Sequence, residues 1–285
     1  MTLLGYTSPK DFLATTEKEL EKQEVVNSLV LGIARRLAGG HSFNDNPPYF
    51  AAVMDGSGLI SAAFMTPPYG LVLAAIGSED VTPALQLIAE DLYDNGWPVP
   101  DVNGPNPTSE IFARIWTQIT GSKSKLAIPQ LLYELRKVTL SNQRAVGQLR
   151  LADANEGDLL AEWLLAFEQD AFGRQMRSAE AAFAFIEKSI QVENVYVWHD
   201  GAPVSMLMRS RPTRHGITVN MVYTPPELRR RGYASASVAA LSQLLLDEGF
   251  EFCTLFTDAA NPTSNKIYTQ IGYQLVCKFD KYSFE

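Results

Sequence analysis

Apolar and polar positions along this chain fall into one series of elements that occurs twice. Residues 11–38 carry apolar positions at helical spacing and end in Arg35-Arg36-Leu37-Ala38-Gly39-Gly40, whose glycine pair is a stop signal. After the loop Asn46-Pro47-Pro48, the apolar runs Tyr49–Met54 and Leu59–Met65 flank the turn Asp55-Gly56-Ser57-Gly58 and predict a hairpin. Leu71–Ile76 reads as a fully apolar strand, residues 82–94 as a helix, and Val99–Val102 as a short strand limited by Pro98 and Pro100. A helix over Ser109–Ile119 and a closing strand pair within Leu126–Val138 complete the first series.

The second series starts with a strand at Gln148–Leu151 and helices over 155–170 and 179–191. A hairpin follows from Val195–Trp198 and Val204–Arg209 around His199-Asp200-Gly201, then a strand at Ile217–Val222 and a helix from Ala234 to a C′ glycine at Gly249. Phe252–Thr257 predicts a strand, 262–271 a helix, and Gln274–Phe284 two short strands. Asn106-Pro107-Thr108-Ser109 also echoes Asn261-Pro262-Thr263-Ser264. The shared order predicts an α+β fold with a mixed sheet in each of two tandem units, 1–140 and 146–285, joined through the polar stretch between Thr139 and Gly147 that holds Ser141-Asn142-Gln143.

Composition narrows the function classes. At 285 residues, 46% hydrophobic and 20% charged, the chain suits one large domain or two modest ones, each able to bury a core. A net charge of −8 argues against non-specific binding to nucleic acid or to an anionic membrane. Cys253 and Cys277 lie in apolar runs and read as buried thiols, and His41, His199 and His215 are too scattered to form a ligand set, so no metal is expected. The first residues lack a basic segment followed by an apolar one, no run approaches a membrane span, and a cytoplasmic location is expected.

The most informative stretch is Val222-Tyr223-Thr224-Pro225-Pro226-Glu227-Leu228-Arg229-Arg230-Arg231-Gly232-Tyr233-Ala234. It joins a strand to a helix through a basic loop containing glycine. The first turn of a helix offers amides without internal partners at the positive end of its dipole. Gly232 and Ala234 leave room for close approach, so a phosphate or pyrophosphate fits; the alternative is a solvated basic loop.

Arg229-x-x-Gly232-x-Ala234 resembles the Q/R-x-x-G-x-G/A loop with which GNAT-superfamily acyltransferases hold the pyrophosphate of coenzyme A. Asn261 through Tyr268, followed by Ile271-Gly272-Tyr273, is similar to that family's N-x-x-A-x-x-L-Y-x-x-x-G-F/Y segment, with Ser264 for Ala and Ile267 for Leu. The resemblance implies two GNAT-like units in tandem, with motifs in the second alone. It implies acetyl-CoA as co-substrate and a primary amine, small molecule or peptide, as acceptor. Met221, Val222, Tyr223 and Thr224 would line the arm of the cofactor. Arg229, Arg230, Arg231, Gly232, Tyr233, Ala234 and Ser235 would hold its pyrophosphate, with Asn261 and Asn265 as further contacts. Tyr268 would protonate the leaving thiolate. Asn261 before Pro262 also reads as a helix N-cap, and Tyr268 as a packing aromatic.

The first series lacks these features. Its corresponding loop, Gly77-Ser78-Glu79-Asp80-Val81-Thr82-Pro83, has carboxylates in place of arginines, and Phe112 stands where the tyrosine is wanted. The general base is not legible: Glu168, Asp170 and Glu193 are candidates by position, as is water. Arg209, Arg211, Arg214 and His215 cluster before the central strand, either to meet an anionic substrate group or as a solvated basic loop. A non-catalytic acyl-CoA-binding or regulatory module is the rival reading, and a protein-interaction scaffold without affinity for coenzyme A is the third.

Overall fold

The computed structural model describes residues 1–41, 46–77, 80–139 and 145–285. The first half runs β1 (Thr2–Tyr6), α1 (Pro9–Leu20), α2 (Ser28–Ala38), β2 (Tyr49–Asp55), β3 (Gly58–Met65), β4 (Leu71–Leu73), α3 (Thr82–Asp94), β5 (Asp101–Pro105), α4 (Thr108–Thr120), β6 (Ser124–Ile128) and β7 (Gln130–Leu135). The second runs β8 (Gln148–Leu151), α5 (Gly157–Phe172), α6 (Ala179–Gln191), β9 (Val195–His199), β10 (Pro203–Ser210), β11 (Gly216–Tyr223), α7 (Tyr233–Asp247), β12 (Phe252–Asp258), α8 (Pro262–Ile271) and β13 (Gln274–Phe284).

The strands join in one sheet in the order β1-β2-β3-β4-β5-β13-β7-β12-β11-β10-β9-β8, with β6 against β13. Pairing is parallel at β4–β5 and at β11–β12 and antiparallel elsewhere, so this is the mixed α+β sheet that the sequence predicts. In the first half, α3 and α4 cover one face of the sheet around Leu85, Ile88 and Phe112, and α1 and α2 cover the other around Phe12, Leu31 and Phe64. In the second half, α7 and α8 bury Val238, Leu241 and Ile271 on one face, and α5 and α6 bury Leu160, Leu164 and Ile186 on the other.

The closing strands are exchanged between the halves. β7 of the first half lies in the second, paired with β12 from Cys253↔Leu135 to Asp258↔Gln130 and with the start of β13 from Gln274↔Glu134 to Lys278↔Leu131. β13 then crosses over. Its end pairs with β5 from Phe279↔Pro105 to Ser283↔Asp101 and with β6 as far as Phe284↔Ser124. Leu126–Val138 therefore holds two strands with different partners, and Gln274–Phe284 is one continuous strand where two short ones are expected. Phe256 meets Phe279 edge to face, 5.0 Å between centroids, near this crossing.

Other departures have local causes. The helix expected over 11–38 is two helices because Asn27 interrupts it. Its side chain donates to Leu20 O at 3.1 Å, donates to Ala75 O at 2.9 Å and accepts from Ala75 N at 2.9 Å. The same bonds occupy the backbone just past Leu73, where the strand expected to run to Ile76 stops. β1 pairs with β2 from Thr2↔Met54 to Tyr6↔Phe50 although its sequence carries no clear alternation. The polar stretch Ser141-Asn142-Gln143 lies outside the described residues.

Candidate active site

β11 and β12 are paired only at Gly216↔Phe252, Ile217↔Cys253 and Thr218↔Thr254. The hydroxyls of Thr218 and Thr254 share a hydrogen bond of 3.0 Å there. Beyond this apex the strands part. Met221 sits at φ +50 and the β10–β11 register slips, Asn220 facing Met208 and Tyr223 facing Met206. This is a bulge, which bends its strand away from a neighbour. Its consequence is a wedge bounded by Val219–Tyr223 on one side and Leu255–Asp258 on the other. Ser205 Oγ donates to Tyr223 O at 2.8 Å and accepts from Thr224 Oγ1 at 2.9 Å, pinning the end of β11.

From Pro225 the chain turns into the basic loop. Arg230 is at φ +63 and Gly232, the N-cap of α7, at φ +83. The first intrahelical bond runs from Ala236 N to Gly232 O, at 3.0 Å, so the amides of Tyr233, Ala234 and Ser235 point out of the helix end. A Cβ on Gly232 would meet nothing nearer than Ala145 Cβ, at 3.7 Å. The loop is thus open to an anion on its backbone. The side chains contribute unequally. Arg229 is spent on the protein itself: Nε donates to Thr224 O at 2.9 Å, the guanidinium pairs with Asp170 at 2.6 Å and lies over the Tyr223 ring. It braces the loop instead of presenting a free charge. Arg230 and Arg231 are exposed, with Arg231 donating to Glu227 O at 3.4 Å. Tyr233 turns away to donate to Asp200 at 2.7 Å.

Across the wedge, α8 begins at Pro262 with Asn261 as N-cap, its Oδ1 accepting from Ser264 N at 3.1 Å. Asn265 donates to Asp258 O and Ala259 O, both at 3.3 Å, which ties the helix to the end of β12 and leaves its buried Oδ1 without a partner among the described residues. Tyr268, 8% exposed, packs between Tyr133 of β7 and Tyr273, at 6.4 and 6.0 Å between ring centroids. Burial pushes its phenol up to about 12, against a smaller opposing effect of its hydrogen bond with Ser264. It therefore holds its proton across the ordinary pH range. Tyr133, which the sequence pattern does not single out, reaches this wall only because of the strand exchange.

Two of the three carboxylates named as possible bases are otherwise engaged. Glu168 is buried, bonded to Arg177 and to Met176 N, and fixes the connection from α5 to α6. Asp170 is the partner of Arg229. Glu193 lines a groove of about 310 Å³ with Arg209, Leu244 and Glu248, at the end of α7 opposite Gly232. Leu244 stands 11 residues of α7 beyond Tyr233, about 17 Å, so the groove is removed from the Gly232 loop, while its Arg209 faces Val219 of β11. In the first half, Asp80 accepts from Thr82 N at 2.9 Å, so the helix end there already holds a carboxylate; Ser78 and Glu79 lie outside the described residues. Phe112 is fully buried, stacked on Trp116. No described helix is long and apolar enough to cross a membrane.

Residues 204–282 match the family model described as FR47-like protein. No curated protein matches the chain. Among solved structures, a GNAT-family acetyltransferase from Colwellia psychrerythraea is similar over 100% of both chains, at 11% identity and a TM-score of 0.61. A GCN5-related N-acetyltransferase from Sphaerobacter thermophilus is similar over 98% of this chain and 94% of its own, at 13% identity and 0.61. A tandem GNAT protein from the clavulanic acid biosynthesis pathway is similar over 99% and 98%, at 10% identity and 0.55. At such identities the likeness concerns the fold.

Proposed function

We propose, from the premise that this chain is built on the GNAT fold twice over, that it is an N-acetyltransferase moving the acetyl group of acetyl-CoA to a primary amine. One observation carries the reading: β11 parts from β12 immediately ahead of a helix whose first amides are uncovered at Gly232. A strand edge followed by an anion-binding helix end suits a ligand that is a thioester arm at one end and a pyrophosphate at the other. The first half has a carboxylate at its helix end and a phenyl ring at Phe112, and we assign it no catalysis.

In this reading the backbone of Met221–Tyr223 lines the arm, and the amides of Gly232, Tyr233, Ala234 and Ser235 receive the pyrophosphate. A backbone N–H of the wedge faces the thioester oxygen as it gains charge. The neutral amine attacks the carbonyl carbon, the C–S bond breaks, and the Tyr268 phenol gives its proton to the departing sulfur. Water relays the proton released by the amine. Cys253 and Cys277 are free thiols, which suits a reducing compartment such as the cytoplasm.

The test is release of thiol from acetyl-CoA in the presence of a panel of primary amines, with the acetylated amine identified by mass, alongside calorimetric titration of acetyl-CoA. Binding with turnover supports the proposal. Binding without thiol release against any amine would make the chain an acyl-CoA-binding module.

A further inference from the structure

Four basic residues lie where β10 turns into β11, and three have acids of their own. Arg209 pairs with Glu248 at 2.8 Å, Arg214 with Glu21 at 3.3 Å, and His215 Nδ1 lies 2.7 Å from Glu24. Arg211 is the exception. The residue is half-buried, and its Nε is buried with no hydrogen-bond partner among the described residues. Burial, then the nearby charge of Arg36, pushes its guanidinium down to about 10. The backbone places it there under strain, at φ +50. It is also locked against the first half: a Cβ on Gly32 of α2 would stand 2.6 Å from Arg211 Cβ and 2.9 Å from its carbonyl oxygen. Arg36 is one helical turn beyond Gly32.

Two further orphans lie on β10 and β11. Ser210 Oγ, on the residue before Arg211, and Asn220 Oδ1 are buried without hydrogen-bond partners among the described residues. Ser210 faces Thr218 across the β10–β11 ladder and Asn220 faces Met208, so strand alternation puts both on the side of the sheet that carries Met208, away from α7 and α8. Thr218 marks the apex of the wedge, and Asn220 directly precedes the bulge at Met221. A half-buried cation with one buried, unpaired nitrogen thus follows directly on an unused hydroxyl, with an unused amide oxygen diagonal to that hydroxyl across the ladder. A buried polar group left unpaired costs its full desolvation. A ligand bringing an anion and N–H donors would relieve all three.

We propose that the acceptor is a primary amine bearing a carboxylate, with the carboxylate received by Arg211 and Ser210 and the amino group directed to Asn220 Oδ1 at the mouth of the wedge. Arginine suits a carboxylate because its fork offers two parallel donors. Diagonal neighbours on adjoining antiparallel strands, as Ser210 and Asn220 are, stand about 7–8 Å apart. A short amino acid with a hydrogen bond of about 2.9 Å at each end covers that span. Because Gly32 seats Arg211, the silent half takes part in choosing the substrate. The inference rests on the acetyl-transfer reading for the fate of the amine and on the orphaned groups alone for the anion.

The experiment compares matched amines on the full chain: amino acids, their amides, their decarboxylated forms, and phosphate-bearing amines of similar length. Loss of the carboxylate should lower kcat/KM by about 10- to 100-fold, mostly through KM, the scale of one charged hydrogen bond. Arg211→Asn, chosen because asparagine tolerates positive φ, should abolish that difference while KM for acetyl-CoA holds. In parallel, amino acids without acetyl-CoA should raise the melting temperature of the wild type and not of Arg211→Asn. Turnover that prefers uncharged or phosphate-bearing amines overturns the carboxylate assignment and leaves acetyl transfer standing. Carboxylate binding that depends on Arg211, with no turnover of any amine, supports the anion site and sinks the acetyl-transfer reading. Neither turnover nor binding of any amino acid overturns the inference.

Discussion

Replacing Tyr268 by phenylalanine separates chemistry from packing. The ring sits between Tyr133 and Tyr273, contacts worth about 0.5–1.5 kcal/mol each, and phenylalanine keeps them. What goes is one hydroxyl and its bond with Ser264, a loss to stability of about 0.5–1.5 kcal/mol. If the phenol protonates the departing thiolate, kcat should fall by about 10²–10⁴-fold. At 1.36 kcal/mol per decade that is about 2.7–5.4 kcal/mol of transition-state stabilisation, more than the stability loss. The two effects are therefore distinguishable on one variant. Thiol release at saturating acetyl-CoA and amine gives kcat, calorimetry gives the affinity for acetyl-CoA, which should hardly move, and a denaturant titration gives the stability. The wild-type pH profile adds a second reading. A free phenol, with a pKa near 10, would be half deprotonated at that pH. With the phenol at about 12, the proton is retained, so kcat should show no alkaline decline from this group between about pH 8 and pH 10. A Tyr268→Phe enzyme within about threefold of wild-type kcat would refute the acid role and leave Tyr268 as core packing.

Three other outcomes are expected. Gly232→Val places a branched side chain at φ +83 over the open amides. Its Cβ meets nothing nearer than 3.7 Å, but a β-branched residue strains that φ, so a melting curve must accompany the calorimetry, in which acetyl-CoA binding should weaken by about 1–3 kcal/mol; unchanged affinity would take the loop out of the site. Burial alone would raise the Glu24 carboxyl, but hydrogen bonds from Thr213 and from the His215 backbone and ring, with the His215 charge, outweigh it and leave it below its ordinary value. A depressed folded value means the stability it contributes is fully present above the unfolded pKa of 4.5 and is lost as pH falls through the folded one. Urea midpoints of the wild type and Glu24→Gln should therefore differ at pH 7 and converge in acid, whereas a constant gap would exclude the linkage. A fragment of residues 146–285 lacks β7, which leaves the edge of β12 and the core around Tyr133 uncovered; it should be insoluble alone and recover on co-expression with residues 1–139, and a monomeric fragment with full kcat/KM would contradict this.

Elements whose identity depends on local period were legible in the sequence. The spacing of Ala234, Val238, Leu241 and Leu245 is the spacing of α7, and the run Ile217–Val222 is the core of β11. The loop at Gly232 was visible because a positive φ at a helix start requires a particular residue type there. Pairing was not legible, because a strand's own alternation does not name its neighbour. Leu131–Leu135 reads the same whether it closes its own half or, as it does, the other. Side chains that bond at a distance were also hidden. Asn27 splits a helix by reaching Ala75, and Arg229, which matches the motif, is taken up by Asp170. Arg211 belonged to a basic cluster in the sequence, and only its neighbours' pairing with Glu248, Glu21 and Glu24 sets it apart.

The exchanged strands also govern the order in which the chain can be completed during synthesis. β5 emerges from the ribosome with a gap beside it that β13 fills, and β13 follows every other described strand in the chain. β7, meanwhile, is made well before β12, the strand it must lie against. The half synthesised first is finished last, so neither half can close its sheet until β13 has been made. Until then the edges of β5 and β7 are open at once, which exposes the nascent chain to mispairing for as long as β13 is unmade.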